Sequence, residues 1–426
     1  VKLASVLLAT GCLLSAVKAQ WLETTIQLPD SSEPIALCYN PTDNKVYSAN
    51  CNGDNVTVVD GATNGVLATV TAGSFPYALC YNPQNNKVYC ANGNSSNVTV
   101  IDGATDSVIA TVTTMLYPLA PCYNPTNNKI YCANRGSRNV TVIDGATDSV
   151  IGILAVDSLP CALCYNPQND KVYCANAVSN NVTVIDGVTD SVIATVTTGS
   201  FPCVLCYNPQ SNKVYSANSG SNNVTVMDGA MDSVLATVPT GYQPYALCYN
   251  TQNNKVCCAD VSGNDVTVID GVTDSVIAMV AIGTSPYALC YNNQNNKVYC
   301  ANCNDNSVTV IDGAGNGVLR SIEVGDDPRA LAWNPLQNRV YVANLSSSSI
   351  SVLRDSMTGI EEDPKPQAPR FKPAATVVRT LPAGAVAFDA MGRRVLNPKP
   401  GVYFVGEGSG ADGQGSGRMR KIVIQR

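Results

Sequence analysis

The sequence predicts an all-β fold: an eight-bladed β-propeller of 42-residue, four-stranded repeats closed by an N-terminal strand, followed by a small C-terminal β domain. Three observations carry this. A Tyr-Asn pair recurs at Tyr39, Tyr81, Tyr123, Tyr165, Tyr207, Tyr249 and Tyr291, and Trp333-Asn334 continues the series, every interval being 42 residues. Such a fixed period signals stacked supersecondary units. Each unit holds four β-prone runs parted by turn residues, and four strands repeated radially make a propeller. Finally, the last unit lacks its fourth run, while a matching run stands alone ahead of the first unit.

Residues 1–19 read as a signal peptide: Lys2 is the positive end, the stretch to Ala16 is mostly apolar, and small residues precede Gln20. The solitary run, 22–28, lies in register one period before 66–70. Pairing it with the last third strand, 350–353, closes the ring and removes edges that invite aggregation. Within a unit the runs are 78–81, ended by Asn82-Pro83; 87–91, after Asn85-Asn86; 98–101, closed by Asp102-Gly103; and 107–112. Val, Ile, Thr and Tyr favour the pleated strand, whereas Pro, Asn and Asp-Gly stop it. Runs such as Val98-Thr99-Val100-Ile101 are apolar on both faces, as a sheet between two others requires. The propeller therefore spans 20–356; an acidic, Pro-rich linker follows at 357–374, and further strand-like runs fill 375–426.

The segments KVYCAN, NVTVIDG and SVIATV resemble the YVTN family of surface-layer-type propeller repeats. That resemblance implies an exported binding or scaffold protein and names no ligand. Such propellers are commonly seven-bladed, and the eight units here depart from that habit. In the tail, Asp389-Ala390-Met391-Gly392-Arg393-Arg394-Val395, then Pro400 to Val405, then Arg420 to Ile424 resemble the C-terminal sorting domain of type IX secretion cargo. This resemblance implies a small C-terminal β-sandwich-like domain that engages an export machinery, and a secreted or outer-membrane-attached location.

Composition removes several function classes. The chain has no histidine, which excludes a Ser-His-Asp triad and histidine-ligated zinc. Residues 20–356 carry 13 basic and 26 acidic side chains, a balance that repels phosphate backbones, so no nucleic-acid partner is expected. No apolar run after the signal approaches a membrane span. The Asp-Gly pairs at Asp60, Asp102, Asp144, Asp186, Asp228, Asp270 and Asp312 read as turn makers, since identical copies around a ring single out no acid–base pair. Asn-Val-Thr at Asn55, Asn97, Asn139, Asn181 and Asn223 matches the glycosylation sequon and is read as strand chemistry. No catalytic group, metal site or cofactor is expected.

Cysteines in the first and second runs of one unit could pair across strands: Cys80 with Cys90, Cys122 with Cys132, Cys164 with Cys174, Cys248 with Cys258 and Cys290 with Cys300. A one-residue slip in register would put each pair on opposite faces.

Loop sequence points toward function. Antiparallel order puts the first-to-second and third-to-fourth turns on one rim, where NPQNNK and DGATDS barely change between units. The opposite rim diverges: GNSSN, RGSRN and AVSNN in one loop, TAGSFP, TTMLYP and EVGDDP in the other. A rigid scaffold displaying variable loops is how recognition surfaces are commonly built. The expected protein is a secreted or cell-surface scaffold that binds a protein or glycan partner through Arg135, Arg138, Asp157, Phe201, Tyr242, Asp305 and Asp327. A structural surface-layer component, or a lactonase-like hydrolase or lyase, is the alternative.

Overall fold

The computed structural model describes residues 20–355 and five short strands between 376 and 424; the expected signal peptide (1–19) and linker (357–374) lie outside the described residues. Eight four-stranded antiparallel sheets form the first unit, each meeting the next through its innermost strand. Blades 1 to 7 occupy 34–71, 76–113, 118–155, 160–197, 202–239, 244–281 and 286–323. Blade 8 takes three strands from 328–355, and Gln20–Gln27 supplies its fourth, pairing Leu22 with Leu353 and Ile26 with Ile350. The ring closes as the sequence predicts.

Burial follows position in the blade. Second and third strands are almost wholly buried, as in Lys87–Asn92 and Asn97–Asp102, because each is covered by a blade on both sides. Fourth strands such as Val108–Thr113 bury one residue, Val112, and present the rest outward. Between blades 1 and 2, Tyr47, Ala49, Val56 and Val58 of one sheet pack on Val88, Cys90 and Ile101 of the next. Burying an apolar side chain of this size stabilises the fold by about 1.5–3 kcal/mol.

A polar latch crosses every seam. Lys45 Nζ, opening the second strand of blade 1, pairs with Asp106 of blade 2 at 2.9 Å and donates to the carbonyls of Gly103 and Ala104, while Tyr47 Oη donates to Asp106 at 2.9 Å. The arrangement recurs as Lys87–Asp148, Lys129–Asp190, Lys171–Asp232 and Lys213–Asp274, while at the seam between blades 7 and 8 Lys297 meets Asp355 at the end of the third strand instead of a turn carboxylate. At the closing seam Arg339 replaces Lys. It donates to the carbonyls of Gly61 and Ala62 of blade 1, and its guanidinium also grips Glu23 of the closing strand at 2.5 and 2.7 Å. Beside the latch, Asn40 Nδ2 donates to Asn86 Oδ1 of the next blade at 3.0 Å, and Asn334 repeats this to Asn44 across the closure.

The Asp-Gly turn serves both networks. Asp102 Oδ1 accepts from the backbone N–H of Ala104 and Thr105, and the Thr105 N–H contributes most to holding its carboxyl below the usual carboxylate range. Gly103 is required by close approach: a Cβ there would lie 2.4 Å from Asn86 Oδ1 and 2.7 Å from Asn40 Nδ2. The Asn of each Asn-Val-Thr likewise belongs to the strands, Asn97 accepting from Asn92 at 2.7 Å while Thr99 is buried.

The register corrects the cysteine pairing. Cys80 faces Tyr89, and Cys90 faces Leu79, so Cys80 and Cys90 point to opposite faces of their sheet. The same one-residue offset separates Cys122 from Cys132, Cys164 from Cys174, Cys248 from Cys258 and Cys290 from Cys300. All ten are free thiols. Burial pushes the Cys122 and Cys132 thiols up to about 12, so they act as small apolar side chains.

In the second unit, the strands Thr376–Val378, Val386–Phe388, Arg394–Val395, Gly401–Gly406 and Met419–Ile424 form one five-stranded sheet. Thr376–Val378 runs parallel to Met419–Ile424, and the remaining pairs are antiparallel. Their positions match the strand-like runs of the tail. Among the described residues they make a single layer, where the sequence reading expected a sandwich.

Candidate binding site at the channel mouth

The innermost strands line the axis, and each begins with the same irregularity. In every blade the register slips by one residue immediately after the opening Pro. A β-bulge of this kind leaves its extra residue unpaired and re-aims its side chain. The residues so released, blade by blade, are Ile35, Tyr77, Leu119, Cys161, Cys203, Tyr245, Tyr287 and Arg329. One position of a near-identical repeat thus carries five residue types. Seven of the eight line one cavity of about 360 Å³. A cavity bounded by the inner strands of seven blades is the mouth of the central channel.

The residue before each Pro adds a second layer. It adopts a left-handed conformation in all eight blades, at φ 60° for Phe75, 58° for Tyr117, 63° for Leu159 and 57° for Phe201. Bulky side chains rarely occupy this region, and such strain collects at ligand sites. Phe75 stacks on Tyr77 with centroids 5.8 Å apart and lies 6.3 Å from Tyr117. Blades 6 and 7 carry the other aromatic wall: the Tyr245 and Tyr287 rings are 4.7 Å apart, and Tyr287 Oη donates to Tyr245 Oη at 3.1 Å. In an eight-membered ring, blades 2 and 3 stand opposite blades 6 and 7. Burial, reinforced by Tyr287, pushes the Tyr77 phenol up to about 12.

Two guanidiniums differ in how they are held. Arg329 lies 4.4 Å from the Tyr287 ring centroid and pairs with Asp327 at 2.7 Å. Arg135, from the loop between the second and third strands of blade 3, is half-buried and lines the cavity beside Tyr77, Leu119, Cys161 and Phe201. Among the described residues no hydrogen-bond acceptor or carboxylate meets its guanidinium.

Of the residues expected from sequence, Arg135 and Phe201 line the mouth and Asp327 holds Arg329 at its edge. Tyr242 is exposed and belongs to a separate hollow between blades 5 and 6, with Asn222, Asp265 and Met279. Arg138 points to solvent. Asp157 accepts from Asn181 at 2.7 Å, and Asp305 from the Thr284 N–H and hydroxyl, so both carboxylates are tied to their own rim loops. Sequence reasoning missed Tyr77, Leu119, Tyr245 and Tyr287, although variation at the residue after an invariant Pro was a legible signal. Among the described residues no three His, Cys, Asp or Glu side chains are grouped to hold a metal.

Fold and mouth together define an eight-bladed β-propeller with a differentiated axial opening. The chain belongs to the YNCE-like beta-propeller family, whose model matches residues 1–334. No curated protein sequence matches the chain. Among solved structures it is similar to Kuenenia stuttgartiensis hydrazine synthase, at 18% identity and a TM-score of 0.56 over 76% of this chain and 96% of that one. At that identity the likeness speaks for the fold alone.

Proposed function

We propose that the protein is an exported, surface-attached scaffold of YVTN type that binds a protein or glycan partner through its divergent rim, export being directed by the signal-like leader and the sorting-like C-terminal unit. One observation carries the reading. Two rims of one rigid ring behave differently: one is held by repeated Asn and Asp turns, while the other varies in its loops and in the bulged residues of the mouth. Drift would not be confined to the rim free of the latch network. The lack of histidine favours binding over hydrolysis or lyase chemistry. Glycan-array and pull-down screening of the full chain against a variant carrying Arg138→Ala and Tyr242→Ala tests it; a partner held equally by both proteins would count against the rim.

A second reading, a self-assembling surface-layer component, is favoured by the circumference. The outer strands expose adjacent apolar pairs, among them Val108 at 43% and Ile109 at 47%, Val192 and Ile193, and Val234 and Leu235. Exposed apolar edge strands are surfaces for further pairing. Concentration-dependent sedimentation of the wild type, abolished by Ile109→Lys with Ile193→Lys, would select this reading; a monomer at all concentrations would remove it.

A further inference from the structure

We infer that the channel mouth is a subsite for a small carboxylate with a flat apolar body, the carboxylate seated on Arg135 and the body between the aromatic walls. The inference deepens the proposed binding role, and rests on it, by naming the ligand chemistry of its axial part.

The cations of the described blades are otherwise engaged or fully exposed. The second-strand lysines are bound in the seam latches, Arg339 is held by Glu23, and Arg329 by Asp327. Arg138 and Arg320 stand in solvent, where water satisfies them. Arg135 alone among these is half-buried in a cavity wall with no acceptor supplied by the described residues. A guanidinium so placed has lost part of its hydration without gaining a partner, and its fork of donors matches a carboxylate bidentately.

The surroundings select what that carboxylate is attached to. Tyr77, Leu119 and Phe201 line the same space as Arg135, and Tyr245 and Tyr287 bound it. The volume of about 360 Å³ is at the small end for small-molecule pockets, enough for one ring and its acid and too little for a folded partner. Ring faces suit offset stacking with a planar body. The Tyr77 phenol, neutral as any phenol is near pH 7, can donate a hydrogen bond rather than repel an anion. Because the blades are strongly acidic overall, an anion is tolerated at this mouth only through Arg135.

The test is isothermal titration calorimetry on the full chain with benzoate and 4-hydroxyphenylacetate, against their neutral amides and against acetate. We expect both aryl acids to bind, the amides and acetate at least tenfold more weakly. Arg135→Ala removes at least tenfold in affinity, Arg135→Lys less, and Arg320→Ala on an outer strand nothing, with circular dichroism reporting the fold of each variant. A tetrapeptide ending in tyrosine, with its carboxyl free or amidated, assigns the source. Binding of the free acids alone points to small metabolites, and binding of the free-carboxyl peptide as well points to a chain terminus. Failure of both aryl acids to bind, or equal binding by folded Arg135→Ala, overturns the inference. Should that happen while the Arg138/Tyr242 variant still loses a partner, the rim reading stands; acid binding with an unaffected rim variant is the reverse case.

Discussion

The seam between blades 4 and 5 and the seam between blades 6 and 7 use one backbone arrangement and close it with different chemistry. At the first, Lys171 Nζ meets Asp232 at 2.7 Å and Tyr173 Oη donates to the same carboxylate at 2.8 Å. At the second, Lys255 reaches neutral Asn316 at 2.8 Å, and Cys257 stands where the other blades have Tyr. Lys255 still donates to the carbonyls of Gly313 and Ala314, at 3.0 and 2.8 Å. Blade 6 differs inside as well: Asp260 replaces the Asn that elsewhere donates to the third strand, and it faces Asp265 across the ladder. The comparison teaches that the turn carbonyls suffice to seat the ammonium, while carboxylate and phenol add strength that one seam does without.

Removing the counter-charge at the strong seam should have the largest effect. Asp232→Ala leaves Lys171 charged and poorly hydrated, and we expect a loss of about 3–5 kcal/mol in urea unfolding. Asn316→Ala, its counterpart at the weak seam, should cost only about 1 kcal/mol. Equal losses would mean that the ion pairs add nothing to the latch.

The carboxyl pair of blade 6 sharpens the contrast through pH. Asp260 is fully buried, accepts from Thr267 Oγ1 at 2.7 Å, and faces Asp265 and the Cys258 thiol. Burial raises its pKa to about 7, with the Asp265 carboxylate adding to the rise. Its folded form therefore binds the proton more tightly than the unfolded chain does. Stability should fall as pH rises from about 4 to 7 and level off above, on the order of 4 kcal/mol in all at about 1.4 kcal/mol per unit. Asp260→Asn, restoring the donor of the other blades, should flatten that slope in denaturation series across this range; an unchanged slope would place the titration elsewhere.

Smaller effects complete the series. Asn316→Asp gives Lys255 the carboxylate that Lys213 finds in Asp274, and should stabilise by about 1 kcal/mol, read as a rise in urea midpoint. Cys90→Ser should change stability by no more than about 0.5 kcal/mol. Ser48 and Ser216 already occupy the equivalent place, their hydroxyls donating to Asn50 and Asn218 as the Cys90 thiol does to Asn92. Mass spectrometry of native protein with an excess of thiol reagent should label Cys161 and Cys203 at the mouth before Cys90, Cys132 or Cys174.

Blade number, ring closure by residues ahead of the first repeat, and the division into latched and divergent rims were all legible in the sequence, because a 42-residue period and its one missing strand are local, countable facts. The lysine latch was less legible: Lys45 and Asp106 are far apart in the chain and meet only because neighbouring blades stack. Cysteine pairing failed for a related reason, since alternation along a strand leaves register undetermined to one residue and that residue decides the face. The mouth depended most on three dimensions. A bulge after Pro turns Tyr77, Tyr245 and Tyr287 to a common axis, and half-burial beside them is what distinguishes Arg135 from Arg138, three residues along the same loop. Periodicity determines which strands form and how many blades they build, but the environment of a charge is set by what packing brings around it.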